Sequence, residues 1–148
     1  MLSVFDKETR ESLIVRIDTL TENSTAQWGK MNVYQMIKHC ILCEEMYLGK
    51  REYKRAVIGR VFGKIGLRNL LKDERPLKPN EPTSPAFKIA ETNGDFAVEK
   101  RNWIALMEAY ATYSNTRMVH WFFGKMTKEQ VGQFVYKHTD HHLRQFNA

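Results

Sequence analysis

Three histidines lie close together near the end of the chain, in the segment YKHTDHHLRQF. His138 and His142 are four residues apart, so on a helix they share one face with their Cβ atoms about 5–6 Å apart. Two imidazoles at that separation can bind one zinc or nickel ion at metal–nitrogen distances of about 2.0–2.1 Å. His141 lies roughly 100° away around such a helix and is expected at the edge of the fold. The spacing predicts part of a metal site.

A third histidine supplies the ligand that this pair lacks. His39 lies on the inward face of a predicted helix near the middle of the chain, together with Met36 and Cys43. A single histidine on such a face is more often a hydrogen-bonded core residue. Burying three unpaired imidazoles costs free energy, however, and one metal ion satisfies them together. We therefore predict that His39, His138 and His142 bind one divalent ion, with other coordination positions left to water or substrate.

Four further residues are accessory candidates for this site: Cys43, His120, His141 and Asp140. Cys43 follows His39 by one helical turn; such a cysteine is usually a small buried hydrophobe, and a role as soft ligand is the alternative. His120 is expected to make a structural hydrogen bond in a turn. Asp140 is expected to be solvated, with a supporting role only if His141 or a neighbouring helix intervenes.

Four amphipathic segments predict an all-α fold that positions these side chains. Apolar residues recur at helical spacing over residues 6–20, 32–49, 96–112 and 128–145. Asn32 with Gln35, and Thr127 with Gln130, have the spacing of capping boxes at the start of the second and last of these helices. All four prolines lie in the long connection between the second and third. Its length predicts a crossover rather than a succession of short hairpins.

Length and composition place the chain among globular proteins of one domain, over residues 1–148. It is 43% hydrophobic and 27% charged, which argues against disorder, and no apolar run approaches the roughly 20 residues of a membrane span. The first residues lack the apolar segment of a signal peptide. Cys40 and Cys43 are three residues apart on a predicted helix, where a mutual disulfide does not fit. We therefore expect reduced thiols and a cytoplasmic protein.

The net charge of the chain is +6. The segment from Lys54 to Lys72 contains six basic residues and no acid, so it accounts for the whole of that net charge. Because a polyanion-binding protein more often spreads its basic residues over several elements, we expect no nucleic-acid partner. Within this segment the basic residues Arg60, Lys64, Arg68 and Lys72 recur every four residues. They are expected opposite an apolar stripe, whose members are Val57, Ile58, Val61, Phe62 and Ile65. We expect this stripe to pack on the helices as a lid, leaving vesicle binding weak and no membrane partner. An exposed stripe would instead indicate a basic anion- or membrane-surface-binding module.

Several motifs resemble the DinB-like superfamily, and closest is a subfamily without an assigned reaction. They are QMIKHC in the second helix, YKHTDHHLRQF in the last, WGK at 28–30, LKPNEPTSP at 77–85 and HWFFGK at 120–125. The resemblance covers most of the chain. It implies a four-helix bundle with a long crossover between helices two and three. It also implies a metal triad of one histidine from helix two and an HxxxH pair, which maps onto His39, His138 and His142.

The resemblance also implies chemistry. Some DinB-like proteins are metal-dependent transferases that use a low-molecular-weight thiol, whose pKa falls when its sulfur binds the metal. We therefore expect a divalent metal, zinc or nickel first, a low-molecular-weight thiol as candidate cofactor, and transfer or hydrolysis on a small molecule. The basic segment would favour an anionic substrate. A non-enzymatic metal-binding or stress-response scaffold with a structural ion stays open, as does a homodimer.

Overall fold

The computed structural model describes all 148 residues and is mainly helical. The elements are α1 (Lys7–Thr19), α2 (Val33–Tyr47), α3 (Val57–Leu70), α4 (Phe96–Glu108), β1 (Val119–His120), β2 (Gly124–Lys125) and α5 (Lys128–Gln145). Short 3-10 helices occupy Pro85–Phe87 and Ala109–Thr112. The four predicted main helices correspond to α1, α2, α4 and α5, which confirms the prediction of a mainly helical fold. No helix combines the length and the apolar character that crossing a lipid bilayer requires.

Capping boxes fix where the two histidine-bearing helices begin. In α2 the Gln35 backbone N–H donates to the Asn32 side chain at 2.8 Å, and the Asn32 backbone N–H donates to Gln35 Oε1 at 3.1 Å. In α5 the Gln130 backbone N–H donates to Thr127 Oγ1 at 3.2 Å, and the Thr127 backbone N–H donates to Gln130 Oε1 at 3.0 Å. Both predicted caps are confirmed. They satisfy backbone donors that the first turn would otherwise leave without partners.

The histidines lie on the faces through which the main helices pack. Helices α1 and α2 each pack against both α4 and α5. One cluster of 25 buried apolar residues fills the space between the elements. Met36 of α2, Trp103 of α4 and Val135 of α5 are completely buried in it. Because His39 follows Met36 by three residues and His138 follows Val135 by three, both imidazoles project from core-facing sides of their helices.

Helix α3 packs through its glycines, so the prediction that its apolar stripe covers the bundle is wrong. The buried residues of α3 are Gly59, Gly63 and Leu67. The stripe itself is 51–80% exposed and consists of Val57, Ile58, Val61, Phe62 and Ile65. Without a Cβ at Gly59 and Gly63, the α3 backbone comes close to the backbone of Phe122, in the turn between β1 and β2. That contact turns the opposite, apolar side of α3 toward solvent.

We expect Gly63→Ala to destabilise the protein by about 1–3 kcal/mol, because a Cβ there would lie 2.2 Å from the Phe122 carbonyl oxygen. Gly66→Ala is the matched control on the same helix. A Cβ at Gly66 meets only the rings of Phe122 and Phe123, at 3.7 Å, so the better helix propensity of alanine should raise stability by up to about 1 kcal/mol. Urea denaturation measures both changes. Equal stabilisation by the two substitutions would contradict the close backbone packing of α3.

Candidate metal centre

Three imidazoles from two helices meet at one point in the core. His39 comes from α2, and His138 and His142 come from successive turns of α5. One potential ligand nitrogen of each ring lies within 4.8 Å of the other two, and no carboxylate or thiol belongs to this set. The ring centroids are separated by 4.7 Å for His138–His142, 4.9 Å for His39–His142 and 5.5 Å for His39–His138. The structure thus brings together the three residues predicted as ligands.

A backbone carbonyl sets the tautomer of His39. His39 Nδ1 lies 2.9 Å from the carbonyl oxygen of Phe87, in the connection between α3 and α4. Because a carbonyl oxygen only accepts hydrogen bonds, the proton of the neutral ring is on Nδ1 and Nε2 keeps its lone pair. Metal-binding histidines are commonly oriented by such a bond from the other ring nitrogen. The connection between α3 and α4 therefore contributes directly to the geometry of the centre.

A glutamine has the corresponding role for His142. His142 Nδ1 donates to Gln145 Oε1 at 2.9 Å, and Gln145 Nε2 donates to the backbone carbonyl of Trp28 at 2.8 Å. The second bond fixes which end of the amide faces the imidazole. The Gln27 backbone N–H also donates to the Gln145 backbone carbonyl, at 2.7 Å. The turn before α2 and the end of α5 thus hold His142 with Nε2 free.

The properties of the rings fit a divalent metal ion. Burial lowers the pKa of His39, and it lowers the pKa of His138 and His142 well below the ordinary value. All three rings are therefore neutral near pH 7, the form that binds metals. His138 Nδ1 is buried and has no hydrogen-bond partner within the chain. Three neutral imidazole donors match the ligand preference of such an ion.

His138 is the most exposed residue of the triad. It is partly exposed, whereas His39 and His142 are 5% and 6% exposed. The ring of Phe134 lies 6.0 Å from that of His138, and the ring of Tyr47 lies 6.2 Å from it on centroids. The centre thus has aromatic side chains beside its most exposed residue.

Cys43 lies next to the triad without joining it. Its sulfur is 3.7 Å from His39 Nε2, and the side chain is only 4% exposed. Burial raises the pKa of the Cys43 thiol well above its ordinary value, so the sulfur is protonated near neutral pH. Both Cys43 and Cys40 are free thiols, as predicted. The position of Cys43 fits a small buried side chain at the edge of the site.

The two remaining histidines lie outside the triad. His120 Nδ1 accepts hydrogen bonds from the backbone N–H groups of Phe122 and Phe123, each at 3.1 Å. This is a structural role in the turn between β1 and β2, and burial lowers the pKa of His120 to about 3. His141 is partly exposed at the edge of the fold, with its ring 5.6 Å from that of Trp28.

The prediction that Asp140 is solvated is wrong, because its carboxylate is buried and paired. The residue is 6% exposed, and its oxygens accept hydrogen bonds from Arg16 Nη1 at 2.8 Å and Arg144 Nε at 2.7 Å. A buried carboxylate needs such partners, since desolvation of an unpaired charge is costly. Arg16 is in α1, far away in sequence, so the pattern of α5 alone does not reveal it. Asp140 joins α1 to α5 and supports the helix that carries two of the imidazoles.

Two positioning groups of the centre were absent from the sequence prediction. Gln145 follows His142 by three residues, so helical spacing alone places it beside that imidazole, and its amide is a natural partner for a ring nitrogen. Phe87 contributes a backbone carbonyl, which any residue has, so no side-chain pattern marks it. Only the tertiary path of the connection between α3 and α4 brings that carbonyl to His39.

Comparison with known proteins identifies the family. A family described as "Protein of unknown function (DUF1569)" matches residues 5–148, a span that includes all three histidines. No curated protein and no solved structure matches the chain. DUF1569 is part of the DinB-like clan, so the resemblance is confirmed at the level of the clan. The chain is therefore a member of the DUF1569 family of the DinB-like clan.

Proposed function

We propose that this protein binds one divalent metal ion, zinc or nickel, through His39, His138 and His142. We further propose that the ion serves group transfer on a small molecule with a low-molecular-weight thiol as the attacking group. In this proposal α1, α2, α4 and α5 form the four-helix bundle of DinB-like proteins. The α3-containing connection is its long crossover. Metal-dependent hydrolysis at the same centre is the closest variant.

The observation that supports metal binding best is the direction of the hydrogen bonds. Phe87 and Gln145 each accept a bond from the Nδ1 of a triad histidine, at 2.9 Å. Those bonds orient His39 and His142 with Nε2 lone pairs toward the space shared by the three rings. His39 Nε2 has only the Cys43 thiol beside it, at 3.7 Å, and an S–H is a weak donor that an ion can displace. This arrangement has the features of a preformed site for an ion.

The composition of the ligand set supports a reactive rather than a closed site. Three protein ligands leave positions for exogenous groups, which is the pattern of catalytic zinc centres. Three neutral imidazoles also leave the charge of the ion uncompensated, and a bound divalent ion would then acidify a coordinated thiol or water. The chain contributes orientation through Phe87 and Gln145. Its aromatic side chains beside His138 limit the access of water to that space.

A structural ion is the second candidate, and the position of Cys43 is the observation that favours it. The sulfur lies 3.7 Å from His39 Nε2, so a modest side-chain movement would bring it toward the triad. Four protein ligands would close a tetrahedron and leave no position for a substrate. The protein would then be a metal-binding scaffold without a reaction of its own.

Cobalt substitution distinguishes these candidates through the absorption spectrum, without any assay of turnover. For the transferase, added low-molecular-weight thiols should produce a new sulfur-to-cobalt charge-transfer band and perturb the visible bands, in a saturable manner. Cys43→Ala is the matched variant and should retain both cobalt binding and the response to thiols.

For the structural ion, the spectrum of the wild-type protein should contain the sulfur-to-cobalt band before any thiol is added, and Cys43→Ala should abolish it. A centre that lacks this band and is perturbed by azide but by no thiol would favour hydrolysis. A centre that no exogenous ligand perturbs would exclude both reactions.

A further inference from the structure

Helix α3 carries an unpartnered apolar surface on the outside of the molecule. Five large apolar side chains along it are 51–80% exposed: Val57, Ile58, Val61, Phe62 and Ile65. Isolated apolar side chains on a surface need no explanation, but five within nine residues on one side of a helix form a contiguous patch. We call this set the α3 stripe. The helix is about 21 Å long at 1.5 Å per residue, so the stripe extends along much of it.

The outward direction of the α3 stripe is fixed by contacts on the opposite side of the helix. The buried glycines Gly59 and Gly63 contact Phe122. At the start of α3, the Ala56 backbone N–H donates to the Trp121 carbonyl at 2.9 Å. Arg55 Nη2, just before α3, donates to the Phe122 carbonyl at 3.4 Å. Helix α3 is therefore anchored through its glycine side and cannot bury the stripe by rotating in place.

Positive charge accompanies the stripe. Arg60, Lys64 and Arg68 are exposed, and no acid occurs anywhere between Lys54 and Lys72. Two shallow cavities of about 520 Å³ adjoin α3 and share Lys64. One is also lined by Lys125 and Lys128, and the other by Arg68, Lys72 and one acid, Glu129. The surface beside the stripe thus offers amine and guanidinium groups in recesses wide enough for phosphate-sized groups.

We propose that the α3 stripe docks on the surface of an anionic phospholipid bilayer, with α3 lying in the plane of the interface. Interfacial helices bury an apolar face at the boundary between headgroups and acyl chains while basic residues contact anionic headgroups. The α3 stripe and its flanking basic residues have both features. The protein would then be a peripheral membrane protein whose metal centre lies in the part of the molecule outside the bilayer.

Charge complementarity favours a bilayer over a second copy of this chain. In a symmetric dimer formed through α3, each stripe would face the other, and the basic residues of both copies would gather around one interface. The segment from Lys54 to Lys72 contains no acid to pair with them. An anionic bilayer supplies the missing negative charge across the whole surface, and it accepts a convex helix without a matching groove.

Vesicle sedimentation tests the proposal with the intact protein. The protein should bind vesicles of phosphatidylcholine with about one-third phosphatidylserine much more tightly than vesicles of phosphatidylcholine alone. Binding should weaken as salt rises but persist at physiological ionic strength, because the apolar contribution is not screened. Val61→Ser with Phe62→Ser should reduce the partition coefficient at least tenfold. Lys64→Gln with Arg68→Gln should reduce it by about 20- to 30-fold on anionic vesicles.

Matched variants elsewhere on the surface keep the test specific. Val15→Ser replaces an apolar side chain that is 65% exposed on α1, and Arg101→Gln removes an exposed positive charge on α4. Neither should change vesicle binding. The proposal is overturned if the wild-type protein does not bind anionic vesicles. It is also overturned if the Val61→Ser, Phe62→Ser protein and the Lys64→Gln, Arg68→Gln protein both bind like wild type. It is equally overturned if light scattering detects a stable dimer that excludes vesicles and becomes monomeric in the Val61→Ser, Phe62→Ser protein.

Discussion

Replacing His142 with alanine is expected to lower the affinity for a divalent metal by more than about 100-fold. Loss of a residue that only supports a ligand typically lowers it by about 10- to 100-fold. His39→Ala and His138→Ala should have similar effects, because each leaves only two imidazoles and a weak, open site. Gln145→Ala should lower the metal affinity by about 10- to 100-fold, since it removes the acceptor that orients His142. Competition with a chromophoric chelator measures the affinities, and elemental analysis after dialysis measures the stoichiometry.

His141→Ala is the matched control for this series. It removes an imidazole directly beside His142 whose ring packs near Trp28 and lies outside the triad. Its metal content should equal that of wild type, and far-ultraviolet circular dichroism should establish that all variants remain helical. The assignment of the triad is wrong if any of the three triad variants keeps wild-type affinity. It is also wrong if His141→Ala loses metal as they do.

Removal of the buried carboxyl group of Glu44 is expected to change how stability depends on pH. Glu44 is fully buried between Tyr110, whose hydroxyl donates to Oε2, and Thr139, whose hydroxyl lies 3.3 Å from Oε1. Burial raises the pKa of this carboxyl from 4.5 to about 7. A raised pKa in the folded state means that folding favours the protonated form. The associated stability is fully present below pH 4.5 and disappears as the pH rises through 7.

Glu44→Gln should abolish this contribution, because an amide does not titrate. Relative to the variant, the wild-type protein should therefore lose about 3 kcal/mol of unfolding free energy as the pH rises from 4.5 to 8. Urea denaturation of metal-free protein across this range measures it. The buried histidines have lowered pKa values and give an opposite trend, but they are common to both proteins and cancel in the difference.

The adjacent Glu45→Gln is the control for this experiment. Glu45 is partly exposed and pairs with Arg51 at the surface, so its replacement should change the unfolding free energy by less than about 1 kcal/mol. If the Glu44→Gln profile runs parallel to wild type over the whole range, then Glu44 does not titrate near neutrality. In that case the burial of Glu44 does not make the protein less stable as the pH rises through 7.

The main helices and the triad could be predicted from sequence because local rules determine both. The residue pairs Asn32 with Gln35 and Thr127 with Gln130 mark helix starts by a reciprocal bond within three residues. His138 and His142 share a face because of helical geometry alone. The meeting of His39 with that pair needed one additional inference, that apolar periodicity identifies the side of α2 that faces the core.

The direction of α3 could not be predicted in this way. An apolar stripe with basic residues beside it has the same periodicity whether it faces the core or the outside. The outcome depends on a backbone contact between the glycine side of α3 and Phe122, which lies about 60 residues away in sequence. The pairing of Asp140 with Arg16 is likewise a tertiary contact, formed across 124 residues of chain. In both cases the exposure of a side chain depends on a partner that is distant in sequence: Phe122 for the α3 stripe and Arg16 for Asp140.

The bond from His39 to the Phe87 carbonyl has a consequence for how this sequence can diverge. The connection between α3 and α4 is long and mostly irregular, and such segments ordinarily tolerate insertions and deletions. Here one peptide group in it must stay 2.9 Å from an imidazole that is 48 residues earlier. A change in length on either side of Phe87 is neutral only if that carbonyl keeps its place, whereas the identity of residue 87 matters mainly for packing. The connection can therefore vary in composition at this position, but its backbone path past His39 is constrained.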